Sequence, residues 1–188
     1  MPIVKGEDAE KGAVEEVAKL ILVSARTAPK SGGIDDIETL LVTGDEKDAL
    51  ATEMEKVGVE RNIGGFKRDG MNVQDSQVVV LIGVRGTKKY GLNCGACGYQ
   101  DCKEFEKAEK KLGQDFVGPN CLFKMLDMGI ALGSAAKMAM DLNVDNRIMY
   151  RIGVAAKRLG LLPESSVIMG IPLSAKGKSI YFDRPVKA

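Results

Sequence analysis

The sequence predicts an α+β (mixed α/β) fold in which one central sheet is flanked by helices. Two observations support this prediction. Segments with apolar residues at helical spacing alternate with short runs rich in β-formers. One of those runs, residues 77–84, is apolar almost throughout, which is typical of a central strand buried on both faces. With 188 residues and 45% hydrophobic residues, the chain is long enough for one well-buried domain with a small insertion.

The first half of the chain carries the signals for helices and strands in alternation. Residues 9–26 place apolar side chains three and four apart, which predicts an amphipathic helix that ends before Pro29. Residues 37–43 are rich in β-formers and are followed by a glycine, so they predict a strand. Residues 46–57 predict a second helix. Because glycines and charges recur in residues 59–74, that segment is predicted to be weakly structured around a short helix.

The second half contains a long apolar segment, residues 122–142, which is apolar on nearly all sides. Such a helix must be covered either by its own fold or by a second subunit. Four charged residues interrupt the segment: Lys124, Asp127, Lys137 and Asp141. Because these charges would be costly in lipid, we interpret the segment as a buried helix and not as a membrane span. A helix cap and connector at residues 143–146, a helix at 147–159 and a strand at 167–173 follow.

All four cysteines fall between the second strand and this long helix. Cys94, Cys97, Cys102 and Cys121 have the spacing C-x2-C-x4-C-x18-C, and the chain contains no histidine. An all-sulfur ligand set selects zinc or an iron-sulfur cluster. Zinc sites are usually built from two C-x2-C pairs, whereas three close ligands and a distant fourth are common around a [4Fe-4S] cluster. The spacing therefore favours iron-sulfur; zinc, disulfides or redox-sensing thiols, and unligated core cysteines remain as alternatives.

The N-terminal residues and the net charge of the chain indicate where the protein acts and which partners it does not bind. The first residues show no charged segment followed by an apolar one, so we expect a cytoplasmic, reducing setting, in which clustered cysteines are more often metal ligands than disulfides. The net charge of +1 gives no strong field to attract nucleic acid or a membrane surface, so we expect neither as a partner. The sequence shows no convincing hydrolytic constellation.

The cysteine segment resembles a known iron-sulfur domain. Residues 94–102 read C-G-A-C-G-Y-Q-D-C, and residues 118–121 read G-P-N-C. These strings are similar to the small [4Fe-4S] domain of anaerobic electron-transfer and corrinoid iron-sulfur proteins. The resemblance implies that Cys94, Cys97, Cys102 and Cys121 are the cluster ligands.

Three further strings resemble the nitroreductase-like flavoprotein fold. Residues 24–33 are similar to that family's A-R-x-A-P-S-x-x-N segment, residues 155–161 to its A-A-x-x-L-G-L turn, and residues 167–173 to its closing strand. The family that combines both parts is the uncharacterised ferredoxin-domain proteins of anaerobic bacteria and archaea. This resemblance implies one nitroreductase-like domain over residues 1–188, interrupted by an iron-sulfur insert at residues 90–121.

The resemblance also implies a homodimer with FMN at the subunit interface. Typical members have an arginine-rich segment that grips the flavin phosphate, and no such segment precedes the first helix here. Arg26, Lys30 and Ser31 are the candidates for contacting the phosphate in its place. We therefore expect a redox protein that transfers electrons through one [4Fe-4S] cluster, with a partner redox protein and, if it is an enzyme, flavin-dependent oxidoreductase activity. The alternative is a non-catalytic, partner-binding module with a structural metal site.

Overall fold

The computed structural model describes residues 3–182, which form six α-helices and six strands. The helices are α1 (Gly6–Thr27), α2 (Gly44–Glu60), α3 (Gly64–Gln74), α4 (Cys102–Lys107), α5 (Leu122–Asp141) and α6 (Tyr150–Arg158). The strands are β1 (Ile37–Val42), β2 (Val78–Val84), β3 (Lys111–Leu112), β4 (Val117–Gly118), β5 (Asp145–Asn146) and β6 (Val167–Ser174). A four-stranded antiparallel sheet has the order β1-β2-β6-β5, and β3 and β4 form a separate hairpin.

Strand β2 is the centre of the fold, and it is buried along its whole length. Because successive side chains of a strand point to opposite faces, its residues divide between two apolar cores. Val80 and Ile82 pack in the core that includes residues of α1 and α5. Val79 and Leu81 pack in the core that includes residues of α2, α3 and α6. The predicted mixed fold, with a central sheet flanked by helices, is confirmed.

Helix α5 is buried on one side only. Its inner face packs on α1 through small side chains such as Ala131 and Ala135, and Ser24 Oγ of α1 donates a hydrogen bond to the Ser134 carbonyl oxygen at 3.0 Å. The buried face also contains Lys124 and Asp127, both almost fully buried. No helix among residues 3–182 is long and apolar enough to cross a membrane.

Two predictions of local structure were wrong. Helix α2 extends to Glu60 and α3 is a regular helix, although residues 59–74 were predicted to be weakly structured. Here glycines allow two helices to approach closely, because a Cβ at Gly58 would lie 3.0 Å from Phe66 Cβ. The connector at residues 143–146 contains strand β5, which has only two residues and therefore leaves no readable pattern.

The segment between β2 and α5 leaves the fold and returns to it at the same place. The backbone N–H of Cys121 donates to the Gly86 carbonyl oxygen at 2.8 Å. Gly86 has no room for a side chain, since a Cβ there would lie 2.4 Å from Asn120 Oδ1. The predicted insert, residues 90–121, falls inside this segment, and only Phe105 and Cys121 within it are buried.

Candidate metal centre

Cys94 and Cys97 lie on a largely exposed, strongly turned loop that leads to Cys102, the first residue of α4. Asn93, Gly95 and Gly98 adopt left-handed backbone conformations, with φ of 54°, 69° and 87°. Glycine takes up this conformation without strain, and asparagine tolerates it better than most residues do. The Gly98 N–H donates to the Gly95 carbonyl oxygen at 2.9 Å and closes the turn around Cys97. The glycines flanking the cysteines thus set the path of the loop.

Asn93 connects the two ends of this loop. Its backbone N–H donates to Cys102 Sγ at 3.3 Å, and its side-chain Oδ1 accepts from the Cys102 N–H at 3.0 Å. Hydrogen bonds to sulfur are the contacts that orient metal-binding thiolates and tune bound clusters. The sequence interpretation gave Asn93 no role. An asparagine directly before a C-x2-C pair could have been the signal, because its side chain both tolerates the turn and binds backbone N–H groups.

Helix α4 places Cys102 at its first position. Asp101 precedes the helix, and its Oδ1 accepts from the N–H groups of Lys103 at 2.9 Å and Glu104 at 2.8 Å. This N-cap satisfies donors that would otherwise lack partners at the start of the helix. Phe105 anchors α4 as its one buried side chain, with the Tyr99 ring edge-on at 5.8 Å. Cys102 is therefore held by both a cap and an apolar anchor.

Cys121 is fixed by the core of the fold. It is buried and directly precedes α5. Its neighbour Asn120 accepts a hydrogen bond from Ser166 Oγ at 2.6 Å, and the same hydroxyl accepts from the Gly86 N–H at 2.9 Å. Together with the bond from the Cys121 N–H to Gly86, these contacts join the base of the insert to the start of β6.

The donor set fits a thiophilic metal centre, but the side chains do not converge on one point. All four cysteines are free thiols, with Cys94 exposed, Cys97 and Cys102 half-buried and Cys121 buried. Soft thiolates select zinc or iron-sulfur clusters, so the chemistry of the donors fits the predicted group. Within residues 3–182, no three histidine, cysteine, aspartate or glutamate side chains are grouped to hold a metal ion. The assignment of the four ligands stays a prediction, and it requires the cysteine side chains to come closer together.

The residues predicted to bind the flavin phosphate lie near the C-terminal end of α1. Their polar groups already form hydrogen bonds with other groups of the chain. Arg26 Nη1 donates to Asp35 Oδ2 at 2.5 Å and to the Ile37 carbonyl oxygen at 2.7 Å. Lys30 Nζ is buried and donates to the carbonyl oxygens of Arg26 at 2.5 Å and Ala28 at 2.9 Å. One of these carbonyl oxygens belongs to the last turn of α1 and the other to its C-cap residue, so Lys30 caps the end of the helix, which is a structural role for a lysine.

Ser31 faces a buried carboxylate. Its backbone N–H and its hydroxyl both donate to Asp127 Oδ1, at 2.8 Å and 2.7 Å. A phosphate at this position would meet the negative charges of Asp127 and Asp35. Burial by itself raises the pKa of the Asp35 carboxyl, but the Arg26 guanidinium and the Ile37 N–H outweigh that effect and hold the pKa below its usual range. As arranged, the three residues do not fit a phosphate site, and their assignment stays a prediction.

The cations that precede the cysteine loop are paired. Arg85 contacts Glu38 at 3.2 Å and Glu164 at 2.7 Å, and Lys89 contacts Glu106 at 2.6 Å. They therefore form no free basic patch toward an acidic partner.

Lys88 shares the buried Asp36 with Lys124. Nζ of Lys88 lies 3.3 Å and Nζ of Lys124 lies 2.8 Å from the Asp36 carboxylate oxygens. Burial raises the pKa of Asp36, but the two ammonium groups outweigh it and keep the pKa below its usual range. This charged cluster joins the residue before β1, the connection that leads from β2 to the insert, and the first turn of α5.

Comparison with known sequences identifies the family. Residues 117–184 match the model of a family described as "Uncharacterized protein containing a ferredoxin domain (DUF2148)". A protein of Archaeoglobus fulgidus is 49% identical over 185 residues, which cover 98% of this chain and 99% of that protein. The chain belongs to this family. The resemblance to ferredoxin-domain proteins is confirmed, although the matched segment contains Cys121 and begins after the other three cysteines.

The fold of this ferredoxin-domain protein is similar to that of solved nitroreductases. Nitroreductase CinD from Lactococcus lactis, in complex with chloramphenicol, aligns with a TM-score of 0.57 at 16% identity, over 98% of this chain and 90% of that chain. A structure described as an oxidoreductase containing FMN aligns with a TM-score of 0.55 at 12% identity, over 87% and 68%. At such identities the likeness shows the fold, and the predicted nitroreductase-like sheet is confirmed.

Proposed function

We propose that this ferredoxin-domain protein is a redox protein that binds one [4Fe-4S] cluster through Cys94, Cys97, Cys102 and Cys121 and transfers electrons. The observation that carries the proposal is the hydrogen bond from the Cys121 N–H to Gly86. Because the insert leaves and re-enters the fold at this point, the loop with three cysteines extends from the position at which the fourth is fixed. Membership of a ferredoxin-domain family supports the same reading.

The composition of the insert supports a metal as part of its structure. A segment with two buried side chains among residues 90–121 buries too little apolar surface to fix its loop by packing alone. A bound cluster would supply one-electron transfer, and the chain would hold it and set its environment. In that arrangement Asn93 donates its N–H to the Cys102 sulfur, Asp101 holds the start of α4, and Asn120 fixes the approach to Cys121.

The proposal includes a homodimer with FMN at its interface. The outer face of α5 exposes three large apolar side chains at a spacing of four residues. Leu122, Leu126 and Ile130 are 40%, 49% and 46% exposed. Gly129 and Gly133 lie on the same face with open space above their Cα atoms, so another helix can approach closely. Burial of this face by a second copy removes apolar surface from water, which favours association.

Anaerobic purification followed by absorbance spectroscopy and metal analysis tests the cluster. We expect a broad absorbance band at about 400 nm that dithionite bleaches, with iron and sulfide in equal amounts. Replacement Cys97→Ser should abolish cluster assembly, because a non-ligating hydroxyl takes the place of one thiolate. The matched control is Ser134→Ala, which changes a small residue of α5 and should leave the iron content unchanged. An unchanged iron content in Cys97→Ser would refute the ligand assignment.

Other outcomes of the same measurement separate the alternatives. If the protein is colourless and contains stoichiometric zinc, the redox proposal is refuted, and the result supports a structural metal site in a partner-binding module. A structured flavin spectrum would support the FMN part of the proposal, and its absence from reconstituted protein would remove that part. Light scattering gives the mass in solution, and a monomer at micromolar concentration would refute the homodimer.

A further inference from the structure

Tyr90, the first residue of the cysteine insert, makes aromatic contact with the rest of the fold. The Tyr90 ring stacks on Phe123 in the first turn of α5, with ring centres 5.4 Å apart and an interplanar angle of 26°. The Tyr90 side chain also lies close to Gly32, where a Cβ would come within 2.6 Å of the Tyr90 hydroxyl oxygen. Nζ of the buried Lys124 is 5.5 Å from the ring centre. Tyr90 thus fills a slot between α5 and the turn Ser31–Gly33.

We propose that Tyr90 is a positioning residue that holds the loop carrying Cys94, Cys97 and Cys102 beside Cys121. This inference rests on the proposed cluster. Tyr90 precedes Cys94 by four residues, and its partner Phe123 follows Cys121 by two. Four extended residues reach at most about 14 Å, and two reach about 7 Å. The aromatic stack therefore ties a point close to the first cysteine to a point close to the fourth.

The backbone between Tyr90 and Cys94 shortens this reach further. Gly91 and Asn93 have φ of 109° and 54°, so the chain turns twice within the four residues. A closed loop costs less entropy when its ends are already held near each other, and a tethered ligand acts at a raised effective concentration. By holding the cysteine loop in place before any metal is bound, Tyr90 lowers the entropy cost of closing the loop and raises the effective concentration of its ligands.

Other contacts of the insert do not replace this one. The neighbouring ion pair joins Lys88, which is 57% exposed, to the buried Asp36, and it lies two residues further from Cys94 than Tyr90 does. Arg61 and Tyr150 both contact Asp115, but they hold the far end of the insert near the β3–β4 hairpin. Residues 91–96 are all exposed. Tyr90 is therefore the contact that limits where this stretch can go.

The ring carries the effect, because within residues 3–182 the Tyr90 hydroxyl makes no hydrogen bond. The test compares Tyr90→Phe, which keeps the ring, with Tyr90→Ala, which removes it. Purified apoprotein is reconstituted anaerobically with limiting ferrous iron and sulfide. Iron content, the electron paramagnetic resonance spectrum of the reduced protein and the melting temperature are then measured. Tyr150→Ala is the matched control, since it removes the ring contact with Phe116 at the far end of the insert.

We expect Tyr90→Ala to take up roughly tenfold less iron, which is the scale on which outer contacts of metal ligands act. Tyr90→Phe should match the wild type in iron content and spectrum. A folded Tyr90→Ala with wild-type iron content and spectrum overturns the inference while leaving the proposed function intact. A wild-type protein that assembles no cluster overturns the proposed function itself.

Phe123→Leu provides the second variant if Tyr90→Ala does not fold. It removes the partner ring and keeps a side chain of similar apolar character. We expect an iron content below that of the wild type and a changed resonance spectrum, with a melting temperature close to that of the wild type. An unchanged spectrum and iron content in folded Phe123→Leu would also overturn the inference.

Discussion

The central sheet and the cysteine insert are held by different forces. Every residue of β2 is buried, and its side chains enter apolar cores on both faces. In residues 90–121 only Phe105 and Cys121 are buried, and the contacts are caps, ion pairs and ring stacks. The sheet is stabilised mainly by apolar burial on both faces, whereas the insert is held by individual polar and aromatic contacts and, in our proposal, by a metal. Changes in the two regions should therefore have effects of different kind and size.

Truncation of a core side chain gives the largest effect on stability. Leu81 lies fully buried in the middle of β2, so Leu81→Ala removes apolar burial and leaves a cavity. We expect the free energy of unfolding to fall by about 3 kcal/mol. Leu112→Ala, in the insert, is the control: its side chain is 69% exposed, and the change should stay within about 0.5 kcal/mol. Chemical denaturation measures both, and equal losses would contradict the contrast between the regions.

Breaking the ion pair where the two regions meet should have an intermediate effect. Lys124→Met keeps the apolar stem but leaves the Asp36 carboxylate with Lys88 alone. We expect a loss of roughly 2 kcal/mol in the free energy of unfolding, below the full cost of an unpaired buried charge because Lys88 remains. Lys137→Met, on the exposed face of the same helix, should cost less than about 0.5 kcal/mol. Similar losses for the two variants would show that burial of the pair is unimportant.

Removal of the α4 cap should give the smallest effect, confined to the insert. Asp101→Ala deprives the N–H groups of Lys103 and Glu104 of their acceptor, which costs about 1 kcal/mol locally. Amide hydrogen exchange should accelerate at residues 102–107 and stay unchanged in β2. Glu109→Ala, which removes only an exposed partner of Lys111, is the control and should leave exchange in α4 as it was. Faster exchange in β2 would indicate that the insert and the core unfold together.

Patterns of apolar residues were sufficient to predict the main elements of the fold. The run at residues 77–84 predicted the central strand, because burial on both faces leaves no place for a charge. The same reasoning failed at α3, where glycines serve helix contact, and at β5, which is too short for any periodicity. The residues next to a glycine in the sequence do not show why the glycine is needed, because the side chain that leaves no room for a Cβ belongs to another element, as Phe66 does for Gly58.

The sequence by itself determined the chemistry of the candidate site: four thiols with the spacing C-x2-C-x4-C-x18-C, in a chain without histidine. Only the tertiary structure determined which residues contact each other. It brought Cys121 to Gly86 and Tyr90 to Phe123, and it joined Ser31 to Asp127, which is 96 residues away in the sequence. Residue type fixes what a side chain can bind, whereas its partner depends on long-range packing. For that reason the four cysteines could be proposed as sulfur ligands from the sequence, whereas the partners of Ser31 and the position of Tyr90 could not.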